Sequence, residues 1–329
     1  MDENGASLSI EKNQLYINHK DDTVSKIPVE TIDSITITGN VGITSSVIRG
    51  CLSKGITISF LSKGGSYFGY LESSMHVNAK RQRMQAELYK TDFAVALAKK
   101  IMRAKIQNQL VVLRRYDRTK KDETVNIDKQ KQMMKICFNK IETCSGISEI
   151  IGYEGQAAKY YFSGLAQLIK PEFRFQGRNR RPPRDPFNSM LSFGYSVLMS
   201  EIYQNVRAKG LNPYFGFVHQ DRENHPTLVS DLMEEWRPTI VDATVMSMLN
   251  GNEVQLSEFM IDEDGCYIGK ECMKKLVKKI NQKLDNKTKY LSNVDYEVDV
   301  RYALSLQINS LIHAMEERNA DSYIPFEIR

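Results

Sequence analysis

The chain has 329 residues, 41% hydrophobic and 26% charged, which is enough length for two domains and enough apolar material for a substantial core. No run of about 18 apolar residues occurs, and the opening Met-Asp-Glu-Asn-Gly lacks the basic-then-apolar pattern of a secretory leader, so no membrane span is expected and cytoplasmic residence is. A net charge of +5 is only mildly basic, and the five cysteines (51, 137, 144, 266, 272) have neither paired CxxC spacing nor histidine neighbours, which points to reduced thiols rather than disulfides or structural zinc.

Residues 6 to 72 read as strands. Ser7-Leu8-Ser9-Ile10 and Gln14-Leu15-Tyr16-Ile17 alternate about a short polar turn, and Ser34–Thr38, Ile56–Phe60 and Tyr67–Leu71 continue the pattern, with one short helix over Ser46–Lys54. Gly39, Gly42, Gly64 and Gly65 fall between these runs as turn residues, and no nucleotide-binding glycine motif is present. From residue 79 the period turns helical through Met84, Leu88, Ala94, Leu97, Ile101 and Ile106. Further helices are predicted over 123–143, 153–169, 187–208, 226–235, 239–248, 268–284 and 294–317, with Phe173–Pro186 a loop because Pro182-Pro183 forbids helix. The expected fold class is α+β: a small N-terminal β-sheet domain over 1–72, a linker over 73–78, and a larger all-α catalytic domain over 79–329.

The densest chemistry lies in His219-Gln220-Asp221 and Asp231-Leu232-Met233-Glu234-Glu235-Trp236-Arg237-Pro238, with Glu154 upstream in Gly152-Tyr153-Glu154-Gly155-Gln156-Ala157-Ala158. An imidazole among carboxylates, without cysteine, suits Mg²⁺ or Mn²⁺. If Pro226 opens a helix, Asp231 and Glu234 share one face, and His219 approaches from the preceding loop. The i+4 spacing from Asp231 admits Glu235 as well, and the same residues also read as solvated helix-face carboxylates beside a loop histidine.

The segment Arg174, Arg178, Arg180, Arg181, Arg184 sets five arginines in a proline-broken loop, where their planar forks suit phosphate oxygens. Two lysine- and arginine-rich tracts, Lys270–Lys289 and Lys99–Arg118, read as solvated helix faces or as further nucleic-acid contacts.

Glu154-Gly155-x-Ala157-Ala158-x-x-Tyr161-Phe162, Arg181-Pro182-Pro183-x-Asp185-Pro186-x-Asn188-x-x-Leu191-Ser192-Phe193-Gly194-Tyr195, Gly216-x-x-His219 and Asp231-Leu232-Met233-Glu234-x-x-Arg237-Pro238, in this order, resemble the successive signatures of the Cas-one family of CRISPR-associated integrases. The strand segments Gly39–Thr44 and Gly55–Leu61 are similar to that family's β-domain. The resemblance implies an enzyme of CRISPR spacer acquisition, and so of antiviral defence, whose metal ligands are Glu154, His219 and Glu234. Asp231 would be a fourth catalytic member, either a direct ligand or an acceptor orienting His219. It further implies that Mg²⁺ or Mn²⁺ assists joining of the 3′-hydroxyl ends of a short DNA fragment, the prespacer, to a CRISPR repeat by transesterification. The implied partners are double-stranded DNA, a second copy of the chain paired through residues 1–72, and a small Cas-two dimer. Two alternatives are a stand-alone metal-dependent nuclease or resolvase on branched DNA, and a non-catalytic DNA-binding scaffold.

Overall fold

Leu8 and Leu15 face inward from two strands that meet at a tight turn, where Lys12 and Asn13 both take positive φ, as such a turn requires. In the computed structural model these are β1 (Ser7–Glu11) and β2 (Gln14–Asn18), antiparallel with Leu8 opposite Ile17 and Ile10 opposite Leu15. The structure describes residues 3–32, 34–61, 67–71, 73, 77–120, 122–180, 182–289 and 296–328. By internal contacts it divides into two units, Met1–Val77 and Asn78–Arg329. Of the segment 73–78 read as a linker, residues 74–76 lie outside the described residues, as do Gly64 and Gly65.

In the first unit β3 (Val24–Pro28), which the sequence reading did not assign, extends β2 antiparallel, and β5 (Gly42–Ile43) joins β1 in parallel, giving the order β3-β2-β1-β5. A second sheet has the order β4-β6-β7, from β4 (Ser34–Ile37), β6 (Thr57–Leu61) and β7 (Tyr67–Leu71). Helix α1 (Ser45–Ser53) starts where the Thr44 side chain accepts from the Val47 N–H, and its Val47 and Cys51 enter one core with Leu8, Leu15, Ile35, Ile37 and Ile58. Val24–Pro28 is mostly exposed and so lacks the apolar alternation by which its neighbours were read.

The second unit is mainly helical, but not all-α as expected: β8 (Phe259–Ile261) and β9 (Cys266–Ile268) pair as a hairpin, because the Asp262 side chain accepts from the Asp264 and Gly265 N–H groups and closes a turn between them. The helical period from residue 79 is broken at Lys90, whose φ of +58° ends α2 (Ala79–Leu88) before α3 (Asp92–Arg118) begins. The predicted 123–143 helix starts only at Asp128 (α4, Asp128–Glu142), because Asp122 and Asn126 side chains accept from the Thr124 and Asp128 N–H groups in local turns that compete with helix. The next begins six residues earlier than predicted, as α5 (Ile147–Leu168), since Glu149 accepts from the Ser145 N–H and Ile150 is buried. Then come α6 (Pro186–Ala208), α7 (Thr227–Met233), a π-helical turn over Arg237–Asp242, α8 (Ala243–Asn250), α9 (Lys270–Leu284) and α10 (Val300–Glu317). Residues 294 and 295 of the last predicted helix lie outside the described residues. Pro238, which cannot donate to a helical ladder, sits in the π turn that carries the chain out of α7. Among the described residues no helix is long and apolar enough to cross a membrane.

Candidate metal centre

Pro226 precedes rather than opens α7, serving as its N-terminal flank, and Glu234 caps the other end while keeping right-handed helical φ and ψ. Asp231 and Glu234 therefore keep the i, i+3 relation expected of them and face the loop that carries His219. That loop is held by Asp231, which is 1% exposed. Its Oδ2 accepts from the N–H groups of Phe217 (2.7 Å) and Val218 (3.0 Å), and its Oδ1 from the His219 N–H (3.0 Å) while lying 2.6 Å from His219 Nδ1. Four partners use the roughly four lone-pair positions of a carboxylate. The side chain is thus fully engaged in fixing the loop and the imidazole.

Gly216 makes this approach feasible. A Cβ there would lie 2.8 Å from Asp231 Oδ2 and 2.9 Å from the Thr227 backbone carbon, so the spacing Gly216-x-x-His219 has a steric cause.

With Nδ1 turned to Asp231, His219 directs Nε2 to the other side, 3.8 Å from Glu234 Oε1. Glu154 arrives from the middle of α5. Between the two glutamates lies the ammonium of Lys105, from α3, 2.5 Å from Glu154 Oε1 and 2.5 Å from Glu234 Oε2. The two carboxylate oxygens are accordingly no more than twice 2.5 Å, or 5.0 Å, apart. Arg237 completes the surround, with Nη1 3.3 Å from Glu234 Oε1 and its guanidinium 4.7 Å from the Tyr195 ring centre.

Charge and burial oppose one another at Glu234, Lys105 and His219. Burial alone would raise the Glu234 carboxyl, but Arg237, Lys105 and His219 hold it down at about 2. Burial would lower Lys105 and His219; the carboxylates of Glu154 and Glu234 raise the former, and the hydrogen bond and charge of Asp231 raise the latter. Glu234 Oε2 is buried and its one near polar neighbour among the described ion pairs is Lys105 Nζ, at 2.5 Å.

The adjacent Glu235 points the other way. It is 0% exposed and turned into the core, where its carboxylate accepts from Tyr323 Oη (2.7 Å), Gln307 Nε2 (2.6 Å) and the Phe326 N–H (2.6 Å), while burial lifts it to about 8. The geometry favours Glu234 where spacing left both glutamates open. Another buried carboxylate, Asp242, ends the π turn and accepts from Tyr195 Oη (2.6 Å) and Tyr161 Oη (3.0 Å), which ties two motif tyrosines to the turn that presents Arg237.

Among the described residues, no group of three His, Cys, Asp or Glu side chains is arranged to hold a metal ion as it stands. The donor set nevertheless fits one. Two hard carboxylates meet on a cation, the Lys105 ammonium, and an imidazole nitrogen lies 3.8 Å from the other oxygen of one of them, Glu234.

The arginine loop divides. Arg178 is turned inward, donating to Asn188 Oδ1 (2.9 Å), to Ser192 Oγ (3.1 Å) and to the Asn179 carbonyl. It anchors the loop on α6, together with the Asp185 side chain that accepts from the Asn188 N–H at the helix start. Arg174, Arg180 and Arg184 are exposed, with Arg184 Nη1 donating to the Glu263 carbonyl; Arg181 lies outside the described residues.

Sequence reasoning placed Lys105 in a basic tract, whereas it is 7% exposed. The signal for it was available: Leu97, Ile101 and Lys105 follow at four-residue steps, so the lysine lies on the buried stripe of its helix, where an unpaired charge is rarely tolerated.

By fold the chain stands with the CRISPR-associated proteins. It superposes on a Cas1 protein from Thermotoga maritima with a TM-score of 0.80 and 24% identity, covering 96% of each chain. A casposase bound to its integration product gives 0.82 at 22% identity over 97% of this chain and 90% of that one. At those identities the likeness is one of fold. Sequence carries the rest: the family model described as CRISPR associated protein Cas1 matches residues 1–282. The chain is also 33% identical over 309 residues to the CRISPR-associated endonuclease Cas1 of Mycobacterium tuberculosis (strain CDC 1551 / Oshkosh), covering 92% of this chain and 89% of that protein. The chain belongs to the Cas1 family of CRISPR-associated endonucleases.

Proposed function

We propose that this Cas1 family member is a metal-dependent DNA integrase of spacer acquisition, with Glu154, His219 and Glu234 holding one Mg²⁺ or Mn²⁺. It joins 3′-hydroxyl ends of short DNA fragments to the CRISPR repeat by transesterification. The observation that carries this reading is the meeting of both glutamates on one cation, with His219 Nε2 3.8 Å from Glu234. When bound, the ion polarises the scissile phosphate and offsets charge on the attacking and leaving oxygens. One phosphodiester is exchanged for another, so no nucleotide-binding motif is needed.

The chain's own residues do the rest. Asp231 fixes the His219 tautomer so that Nε2 presents a lone pair. Gly152 and Gly155, one turn apart on a face of α5 that Glu154 does not share, leave that face open, since an added Cβ would meet nothing within 4 Å at either; two mid-helix glycines without a packing role fit close passage of a DNA backbone. Arg174, Arg180 and Arg184 offer phosphate contacts from an exposed loop, and Arg181 of the same loop joins them in this reading, while Arg178 supports that loop from within.

Residues 1–72 we assign to homodimer formation, which is supported by the exposed edge strand β3 and by Phe68, 75% exposed on edge strand β7. A Cas-two dimer as further partner is supported by the likeness to a Cas6-RT-Cas1–Cas2 complex, TM-score 0.84 at 22% identity, covering 100% of this chain and 36% of that one. The assembly acts in the cytoplasm, on the DNA that carries the repeats.

The test is joining of a labelled 3′-hydroxyl oligonucleotide into supercoiled plasmid bearing a repeat, with Mn²⁺ present. Joined product is expected, and its loss in Glu154→Gln. Cleavage without joining would replace this reading by that of a stand-alone nuclease, and DNA processing unchanged in Glu154→Gln by that of a scaffold copurifying with another enzyme.

A further inference from the structure

We propose that Lys105 is an internal counter-cation which occupies the metal position and must be displaced when a divalent ion enters, so that this lysine sets the metal affinity of the site. The inference rests on the assignment of Glu154 and Glu234 as ligands. It starts from a placement that a helix does not adopt without compensation: a lysine on the buried stripe of α3, 7% exposed, with its ammonium 2.5 Å from one oxygen of each glutamate. Glu154 and Glu234 come from different helices, and two carboxylates this close repel unless a cation lies between them. Lys105 supplies that cation in the metal-free protein.

It is held from two sides. The ammonium hydrogen-bonds Glu154 Oε1 at 2.5 Å and stands equally close, 2.5 Å, to Glu234 Oε2. Both contacts are charge–charge in origin, and a cation of higher charge competes for them directly. An ion ligated by both glutamates uses the lone pairs the ammonium now faces, and the positive charge already contributed by Arg237, 3.3 Å from Glu234, makes retention of a second monovalent cation beside a divalent one unfavourable. The four-carbon stem of lysine allows the ammonium to swing away without moving α3. The site is thereby kept charge-compensated and folded without metal, while part of the binding free energy of any metal goes into displacing Lys105.

The experiment is titration of Mn²⁺ into wild type and Lys105→Met by isothermal calorimetry, with the Mn²⁺-induced rise in melting temperature measured in parallel. Methionine keeps an unbranched stem, one heavy atom shorter, and removes the charge. Lys105→Met is expected to bind Mn²⁺ at least tenfold more tightly, to melt lower than wild type without metal, and to show the larger rise on adding Mn²⁺. Affinity equal to or below wild type would overturn the exchange and leave the ligand assignment standing, whereas absence of Mn²⁺ binding in both proteins would overturn both. A measurement on wild type is independent of how the variant folds: in a crystal soaked in Mn²⁺ and located by its anomalous signal, Lys105 Nζ is expected to have left both carboxylates. A bound ion with the lysine still bridging Glu154 and Glu234 would refute displacement.

Discussion

Replacing Asp231 by Asn changes one atom, and the hydrogen bonds say what it breaks. Asp231 receives four donors, two on each oxygen. Asparagine has one oxygen. Placed toward Phe217 and Val218 it preserves those two bonds, and the amide nitrogen then faces the His219 N–H and Nδ1. The His219 N–H loses its acceptor, and an unsatisfied donor at this site costs about 1–3 kcal/mol of stability. The ring can respond by moving its proton to Nε2, so that Nδ1 accepts from the new amide. That removes the lone pair presented toward Glu234. Loss of an orienting partner of this kind lowers metal affinity about 10–100-fold, roughly 1.4–2.8 kcal/mol. Urea denaturation without metal and Mn²⁺ titration by calorimetry measure the two effects separately. The pH dependence adds a sign. Asp231 and Glu234 raise the folded His219 above its ordinary 6.5, so their stabilisation of the metal-free protein is fully present below 6.5 and is lost as pH rises through the raised value. Metal binding needs the neutral ring and strengthens over the same interval, which in Asp231→Asn should move to lower pH. A urea midpoint and Mn²⁺ affinity within twofold of wild type, with an unmoved pH profile, would refute this account of Asp231.

Gly216→Ala should destabilise the protein by about 1–3 kcal/mol, because its Cβ pushes against Asp231 Oδ2 and Thr227, and should weaken Mn²⁺ binding in proportion; calorimetric melting and titration check both. Replacing Arg174, Arg180 and Arg184 together by Ala should weaken binding to all DNA sequences alike and flatten the dependence of log K on log salt by about 0.9 for each phosphate that is no longer neutralised, as read by fluorescence anisotropy. Arg178→Ala should instead lower the melting temperature, since its partners Asn188 and Ser192 are on α6. Glu235, raised to about 8 when folded, makes a contribution fully present below its ordinary 4.5 and lost as pH climbs through 8, so Glu235→Gln, which cannot ionise, should show a smaller fall in stability between pH 5 and 9 by urea denaturation.

How far the sequence could be read depended on whether a feature was local. The strands around Leu8 and Leu15 and the main helices announced themselves, since alternation and the 3.6-residue period are direct imprints of burial. Strand β3 did not, because an edge strand with exposed side chains carries no such imprint. Helix starts slipped where Asp122 and Asn126 chose local turns over helix. At the candidate site, motif order offered Glu154, His219, Asp231 and Glu234 as candidates, and the i, i+3 spacing gave Asp231 and Glu234 their shared face. What spacing could not give was the content of the gap between Glu154 and Glu234, because Lys105 lies 49 positions from one of them and on a third helix. Likewise nothing local distinguishes Arg178, whose partners lie 10 and 14 residues on, from the exposed arginines beside it.

The pair Glu234-Glu235 explains why the centre occupies this end of α7. Neighbouring residues on a helix diverge by about 100°, so one carboxylate enters the site and the next must enter the core. The core side is prepared for it: Tyr323 and Gln307 donate, Phe326 contributes its N–H, and Asn108 ties the carbonyls of both Glu235 and Phe326. Trp236 then stacks on Phe326 with ring centres 3.8 Å apart. Two adjacent glutamates are thereby driven in opposite directions, Glu234 to about 2 by cations and Glu235 to about 8 by burial. Asn108 is one helical turn beyond Lys105 on α3, so the helix that holds the C-terminal segment against Glu235 also delivers the ammonium to Glu234. The rigid anchor on one side of the peptide allows the carboxylate on the other to hold its direction whether its counter-charge is a lysine or an ion.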